Sequence, residues 1–206
     1  MTNMSSKKID IQLYSYWHAG SGAGHGADLD AVVLKTKEGL PYLPGKTLKG
    51  LLRDGCETAE VTGRFRNWPK NTNERFTDLL FGLESEEGDP TGSDSGLLEF
   101  QNAVLPELER QWLLSGGRDC LAALYDPFSS TELEKGVAVT SSLRTTELTV
   151  PLKLETFIEW WPLKARDVEV EKVLETSFVF VRALGTHRNR GLGRCEITFP
   201  KKVNTP

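Results

Sequence analysis

The chain has 206 residues, with 25 Lys plus Arg against 29 Asp plus Glu and a formal net charge of -4. Hydrophobic residues make up 38% and charged residues 26%, an ordinary globular balance that excludes a collagen-like, mucin-like or wholly disordered chain. A chain of this length supports one domain over 1–206, with insertions expected near 60–95 and 126–150.

Residues 9–17 (IDIQLYSYW) alternate apolar and polar and predict a first strand. Residues 18–26 hold four glycines in nine and predict a ligand-hugging or flexible loop. A short extended segment follows over 29–35, then a rigid two-proline turn over 39–45. Residues 47–60 predict a helix, with Leu48, Leu51, Leu52, Gly55 and Ala59 on one face. Lys46, Lys49 and Arg53 fall on another face, about 130° away.

Further on, 73–80 predicts a shorter helix and 97–104 a strand. Residues 106–125 have helical spacing, broken at Gly116 and Gly117. Residues 137–149 read as extended, 152–161 as a strand, 166–184 as the last helix and 191–199 as a closing strand. This order predicts an α+β fold: an RRM-like (ferredoxin-like) core carrying an inserted thumb-like hairpin and long loops.

Charge distribution refines the picture. Residues 84–94 (ESEEGDPTGSD) hold five acids and no base, so without them the formal charge is +1. The remainder is near neutral with clustered bases, which suits a groove that takes RNA. Cys56, Cys120 and Cys195 are too widely spaced for a metal pair or a disulfide framework, so reduced thiols and a cytoplasmic location are expected. No run approaches the roughly 20 apolar residues of a membrane helix, and the polar start, Met1 to Lys8, leads us to expect neither a signal peptide nor a membrane partner.

Two segments can carry phosphate chemistry. In LPYLPGKTLKGLLR (residues 40–53), a helix N-terminus offers N–H groups and the positive end of its dipole, flanked by Lys46, Thr47, Lys49 and Arg53. In GTHRNRGLGR (residues 185–194), Arg188, Arg190 and Arg194 supply planar forks beside glycines that bring a ligand close to the main chain. Alone, each has a bland reading, a solvated basic helix face or a flexible Gly/Arg turn. Trp68, between Arg64, Arg66 and Lys70, is a candidate for base stacking or a subunit contact. Trp17, Trp112, Trp160 and Trp161 read as core or subunit-contact residues.

YLPGKTLKGLLR followed, near the C-terminus, by RNRGLGR resembles the RAMP superfamily of CRISPR-associated proteins, whose helix motif more often has Ser-Ser where this chain has Lys46-Thr47. Phe81-Gly82, residues 96–102 and the segment around Arg144 fall in the matching order between them. The nearest likeness is to the backbone subunits of type III effector complexes. That resemblance implies a subunit that binds guide CRISPR RNA through Lys46, Thr47, Lys49, Arg53, Arg144, His187, Arg188, Arg190 and Arg194. It also implies target RNA and other effector subunits as partners, copies of itself included.

In many such subunits an Asp in the loop before the helix motif cuts target RNA with a divalent metal. The family loop commonly reads Gly-Gly-x-Asp-x-Pro-Val, and here Asp30 matches the cutting residue best, with Asp28 second and Ala31 in the place of the proline. A guide-RNA-binding backbone subunit is the leading expectation; metal-dependent cleavage of target RNA, with Asp30 as ligand to Mg²⁺ or Mn²⁺, is what the resemblance implies in addition. The alternatives are a non-catalytic capping subunit, a metal-independent guide-processing endoribonuclease using a histidine, and a ferredoxin-like module unrelated to RNA. His18 and His25 are the loop histidines open to acid–base roles.

Overall fold

In the computed structural model, which describes residues 4–20, 31–68, 73–83, 95–130, 133–134, 137–138, 144–162 and 168–200, the alternation of the first strand decides which way the sheet faces. Strand β1 (Ser5–Leu13) buries Ile9, Ile11 and Leu13 and leaves Lys8, Asp10 and Gln12 on the opposite face. Each fully buried aliphatic side chain contributes about 1.5–3 kcal/mol, so slipping the register by one residue would forfeit all three.

Helix α1 (Gly45–Val61) follows the Pro41–Pro44 turn and buries Leu48, Leu51, Leu52, Cys56 and Ala59 on the predicted stripe. After it come α2 (Phe76–Phe81), β2 (Leu98–Phe100), α3 (Glu107–Ser115) and α4 (Gly117–Ala122). Then follow β3 (Tyr125–Ser130), β4 (Leu133–Glu134), β5 (Val137–Ala138), β6 (Arg144–Thr149), β7 (Lys153–Trp160), α5 (Val170–Phe178) and β8 (Cys195–Thr198). The main sheet has the order β2-β7-β1-β8 with antiparallel pairings throughout. In chain order of its four strands that is 2-3-1-4, the ferredoxin-like arrangement of an RRM. Helices α1 and α5 pack against each other and cover one face, sharing a core with Ile9, Ile11, Leu154, Ile158 and Ile197.

Strands β3 and β6 form a separate antiparallel pair, and β4 and β5, between them in sequence, form another. The β3–β6 hairpin is the thumb-like insertion expected from the sequence. Its base joins the main body where Trp17 pairs with Thr149 and donates its indole N–H to the Val150 carbonyl at 3.1 Å.

Several boundaries differ from the sequence reading: the strand expected over 97–104 is only Leu98–Phe100, the helix expected over 73–80 is Phe76–Phe81, and the helical run expected to 125 yields to β3 at Tyr125. The first strand ends at Leu13 rather than Trp17, because residues 14–17 cross from the main sheet to the hairpin. The last helix spans only Val170–Phe178, because residues 182–184 extend and pair beside Arg194. Residues 191–193 are a turn, and β8 starts at Cys195. Trp68 is half-buried in an aromatic cluster, 5.0 Å from the ring centre of Phe65 and 6.4 Å from that of Phe76, so packing rather than an open stacking platform explains it. Trp17 and Trp160 are buried, whereas Trp112 and Trp161 are exposed. Among the described residues no helix is long and apolar enough to cross a membrane.

Candidate nucleic-acid interface

The glycine-rich segment before β8 is held at both ends. Thr186 donates its N–H to the His18 carbonyl at 3.0 Å, and Gly193 donates to the Tyr16 carbonyl at 2.7 Å. Two of its glycines are there for packing. A Cβ on Gly185 (φ +82°) would stand 2.4 Å from the His18 carbonyl oxygen, and one on Gly193 (φ +71°) only 1.8 Å from that of Leu184. Between these staples His187 adopts a left-handed conformation (φ 57°), uncommon outside glycine, and leads into a 3-10 turn over Arg188–Arg190. His187, Arg188, Arg190 and Arg194 are all exposed. The loop is therefore a rigidly mounted display of cations.

The N-terminus of α1 meets this loop. Lys46 and Thr47 share a cleft of about 310 Å³ with His18, Gly20, Thr186 and Arg188. Two basic and two hydroxyl-bearing residues thus line one opening, a set that phosphodiester binding can use. A second groove of about 330 Å³ continues along α1 past Asp54 and Thr58, with Arg188, Asn189 and Arg182 opposite.

The helix end has fewer free donors than its sequence suggests. Gly45 gives its N–H to Asn102 Oδ1 at 2.9 Å, and the N–H groups of Thr47 and Leu48 fold back onto the Pro44 carbonyl. Asn102 is thus a cap supplied from a distant segment. Lys49 and Arg53 are half-buried and do not line the cleft. Burial lowers the Lys49 ammonium below its usual range, Arg53 adds to this, and the charge of Glu99 on β2 opposes it.

Glu147 on β6 ties the hairpin to both segments flanking residues 21–30. Its carbonyl accepts the Nδ1–H of His18 at 2.7 Å, and its own N–H donates to the Ala31 carbonyl. Its carboxylate accepts the Val33 N–H at 3.2 Å and pairs with Lys35 Nζ at 2.7 Å. That ammonium also lies 3.9 Å from the centre of the Tyr125 ring, whose hydroxyl burial pushes above its usual range, with the Glu147 charge acting in the same direction. His18 is buried, and this hydrogen bond gives it a structural role. Sequence reasoning passed over Glu147; the available signal was a lone acid in an otherwise Thr- and Leu-rich strand. Arg144 is exposed at the outer end of β6, about 10 Å along the strand from Glu147.

Asp28, Asp30 and His25 lie outside the described residues. Among the described residues no group of three or more His, Cys, Asp or Glu side chains could hold a metal ion. The sheet face away from the helices does not resemble an RRM stacking platform. Phe157 is its aromatic residue on the central strands, amid Asp10, Glu155, Glu159 and Glu196. Lys8 and Lys153 there are already paired, with Glu155 at 2.5 Å and Asp10 at 2.8 Å.

No curated protein matches the chain by sequence. Among solved structures it is similar to a chain of the type III-B Cmr-beta complex bound to cognate target RNA, seen by cryo-EM. That match has a TM-score of 0.63 and 10% identity, and covers 95% of this chain and 97% of that one. A chain of the same complex in its apo state gives a TM-score of 0.61 and 13% identity, covering 96% and 98%. These likenesses concern the fold. A sequence match to the RAMP superfamily runs over residues 10–196, nearly the whole of the folded core and both motif segments, and the chain belongs to that superfamily.

Proposed function

We propose that this chain is a guide-RNA-binding subunit of a type III-like CRISPR effector complex acting in antiviral defence. The observation that carries the reading is the convergence of Lys46 and Thr47 with Thr186 and Arg188 on one cleft. A sugar-phosphate strand laid there meets Lys46 as a point charge and Arg188 as a fork, and Arg190 and Arg194 extend the positive surface. Arg144 adds a contact from the thumb-like hairpin. Such contacts go to the backbone and carry little sequence information. Superfamily membership and the likeness to subunits of a complex that binds target RNA support the same reading.

The test is binding of labelled single-stranded RNA by the purified chain, alone and with partner subunits, across a salt series. Sequence-tolerant binding that weakens steeply with salt is expected. No binding in either setting would overturn the reading. Cleavage is a separate part of the proposal and rests on Asp30, with Asp28 beside it in sequence. Asp30→Ala is expected to preserve guide binding and abolish target cleavage dependent on Mg²⁺ or Mn²⁺; cleavage at the wild-type rate would remove Asp30 from that role. Several copies per assembled complex would identify a backbone subunit that contacts copies of itself, and a single copy a cap.

A further inference from the structure

Strand β8 is an edge strand whose outer side takes one backbone hydrogen bond among the described residues, at Cys195; Cys195 and Ile197 are 7% and 3% exposed. Arg194 accepts the Tyr14 N–H through its carbonyl at 2.8 Å, which fixes the alternation of the ladder. Glu196 and Thr198 therefore turn their backbone groups toward β1, while Cys195, Ile197 and Phe199 turn theirs outward. The Cys195 N–H is taken by the Arg182 carbonyl at 2.9 Å. The Cys195 carbonyl, both backbone groups of Ile197 and the Phe199 N–H have no backbone partner across that edge among the described residues.

Beside this edge runs a groove of about 580 Å³, with Phe178, Val179, Val181 and Phe199 as its apolar wall. Val179 is 65% exposed. Among the described residues Glu175 and Glu196 also line it, with Arg182 as the one base. Backbone groups without a strand partner next to an apolar trough are the two elements of recognition by strand addition. The carboxylates set the chemistry of what adds. Side chains of an incoming strand alternate: one set enters the trough under α5, and the other lies on the sheet face carrying Glu196.

We propose that the β8 edge docks an extended segment of a partner protein in which apolar residues alternate with Lys or Arg, adding a fifth strand to the sheet. The groove shares no lining residue with the Lys46–Arg188 cleft, and meets the second groove only at Val181 and Arg182.

The experiment uses the full chain and a fluorescein-labelled eight-residue peptide alternating Val or Phe with Lys. One control replaces Lys by Glu, and another keeps the composition but separates it into an apolar and a basic block. Saturable binding is expected for the alternating basic peptide, at least about tenfold tighter than for either control. Its binding should slow hydrogen exchange at the Ile197 and Phe199 amides by about tenfold or more. Val179→Lys places an ammonium in the trough at an exposed position; it should weaken the peptide about tenfold while leaving the thermal midpoint and RNA binding unchanged. The proposal is overturned by no saturable binding up to about 1 mM, by equal binding of the controls, or by binding without protection at Ile197 and Phe199. Displacement of the peptide by single-stranded RNA would overturn it too, by assigning the edge to nucleic acid. RNA binding measured on the same samples keeps this outcome distinct from failure of the cleft.

Discussion

Gly191 and Gly193 sit two residues apart in the terminal loop, both left-handed, yet they answer to different constraints. At Gly191 (φ +86°) an added Cβ meets no atom within 4 Å; at Gly193 (φ +71°) it would lie 1.8 Å from the Leu184 carbonyl oxygen, 2.9 Å from its carbon and 3.2 Å from its nitrogen. Alanine at either position bears the left-handed penalty of about 1–2 kcal/mol. Only at Gly193 is a clash added against backbone atoms that have no rotamer to escape into, worth about 1–3 kcal/mol more. The Leu184 N–H to Gly193 carbonyl bond at 2.9 Å and the Gly193 N–H to Tyr16 carbonyl bond at 2.7 Å resist the shift that would relieve it. For a chain of this size each kcal/mol moves the midpoint by about 2–4 °C. Gly193→Ala should therefore lower the thermal midpoint by roughly 10 °C and Gly191→Ala by roughly 4 °C. Calorimetry, with urea unfolding as a second measure, decides it. Equal losses from the two variants would refute the packing argument and with it the rigid mounting of the loop.

Lys46→Ala and Arg188→Ala should each reduce the slope of log affinity against log salt by about 0.7 on single-stranded RNA. Lys49→Ala, off the cleft, should change it less; an equal effect would mean the strand follows the whole helix. Burial pushes the thiols of Cys56 and Cys195 from near 9 up to about 11. The folded state then holds those protons more tightly, so their stabilisation is complete below about pH 9 and is lost as pH rises through about 11. Urea unfolding from pH 8 to 11 should show the decline, and a Cys56→Ala/Cys195→Ala variant should flatten it; an unchanged slope would argue against the effect. Glu147→Gln keeps an acceptor for the Val33 N–H but removes the charge beside Lys35, and should cost about 1–3 kcal/mol of unfolding free energy. Combining it with Lys35→Met should cost less than the sum of the singles, and additivity within about 0.5 kcal/mol would show the pair to be uncoupled.

The RRM-like core was legible because its signals are local and periodic. Ile9, Ile11 and Leu13 alternate at the period of a strand, and Leu48, Leu51, Leu52 and Ala59 recur at that of a helix. Boundaries were less legible where distant pairing cuts an element short, as at residues 14–17 and 179–184. The strip Lys46, Lys49 and Arg53 reads as one face on a helical wheel, but the wheel is blind to what stands opposite. The terminal loop approaches Lys46 and Thr47, while Lys49 lies in the field of Glu99.

The core strands and helices, their apolar stripes and the two cation-bearing segments can be read along the chain, since each depends on residues close together in it; strand β3 (Tyr125–Ser130) could not. Folding in three dimensions sets Arg188 and Lys46 on one cleft, caps α1 with Asn102, and lets Glu147 grip the chain on both sides of residues 21–30. Those pairings join residues 57 to more than 140 positions apart. They exist because sheet order and helix packing fold those segments together, which no local pattern of residues encodes.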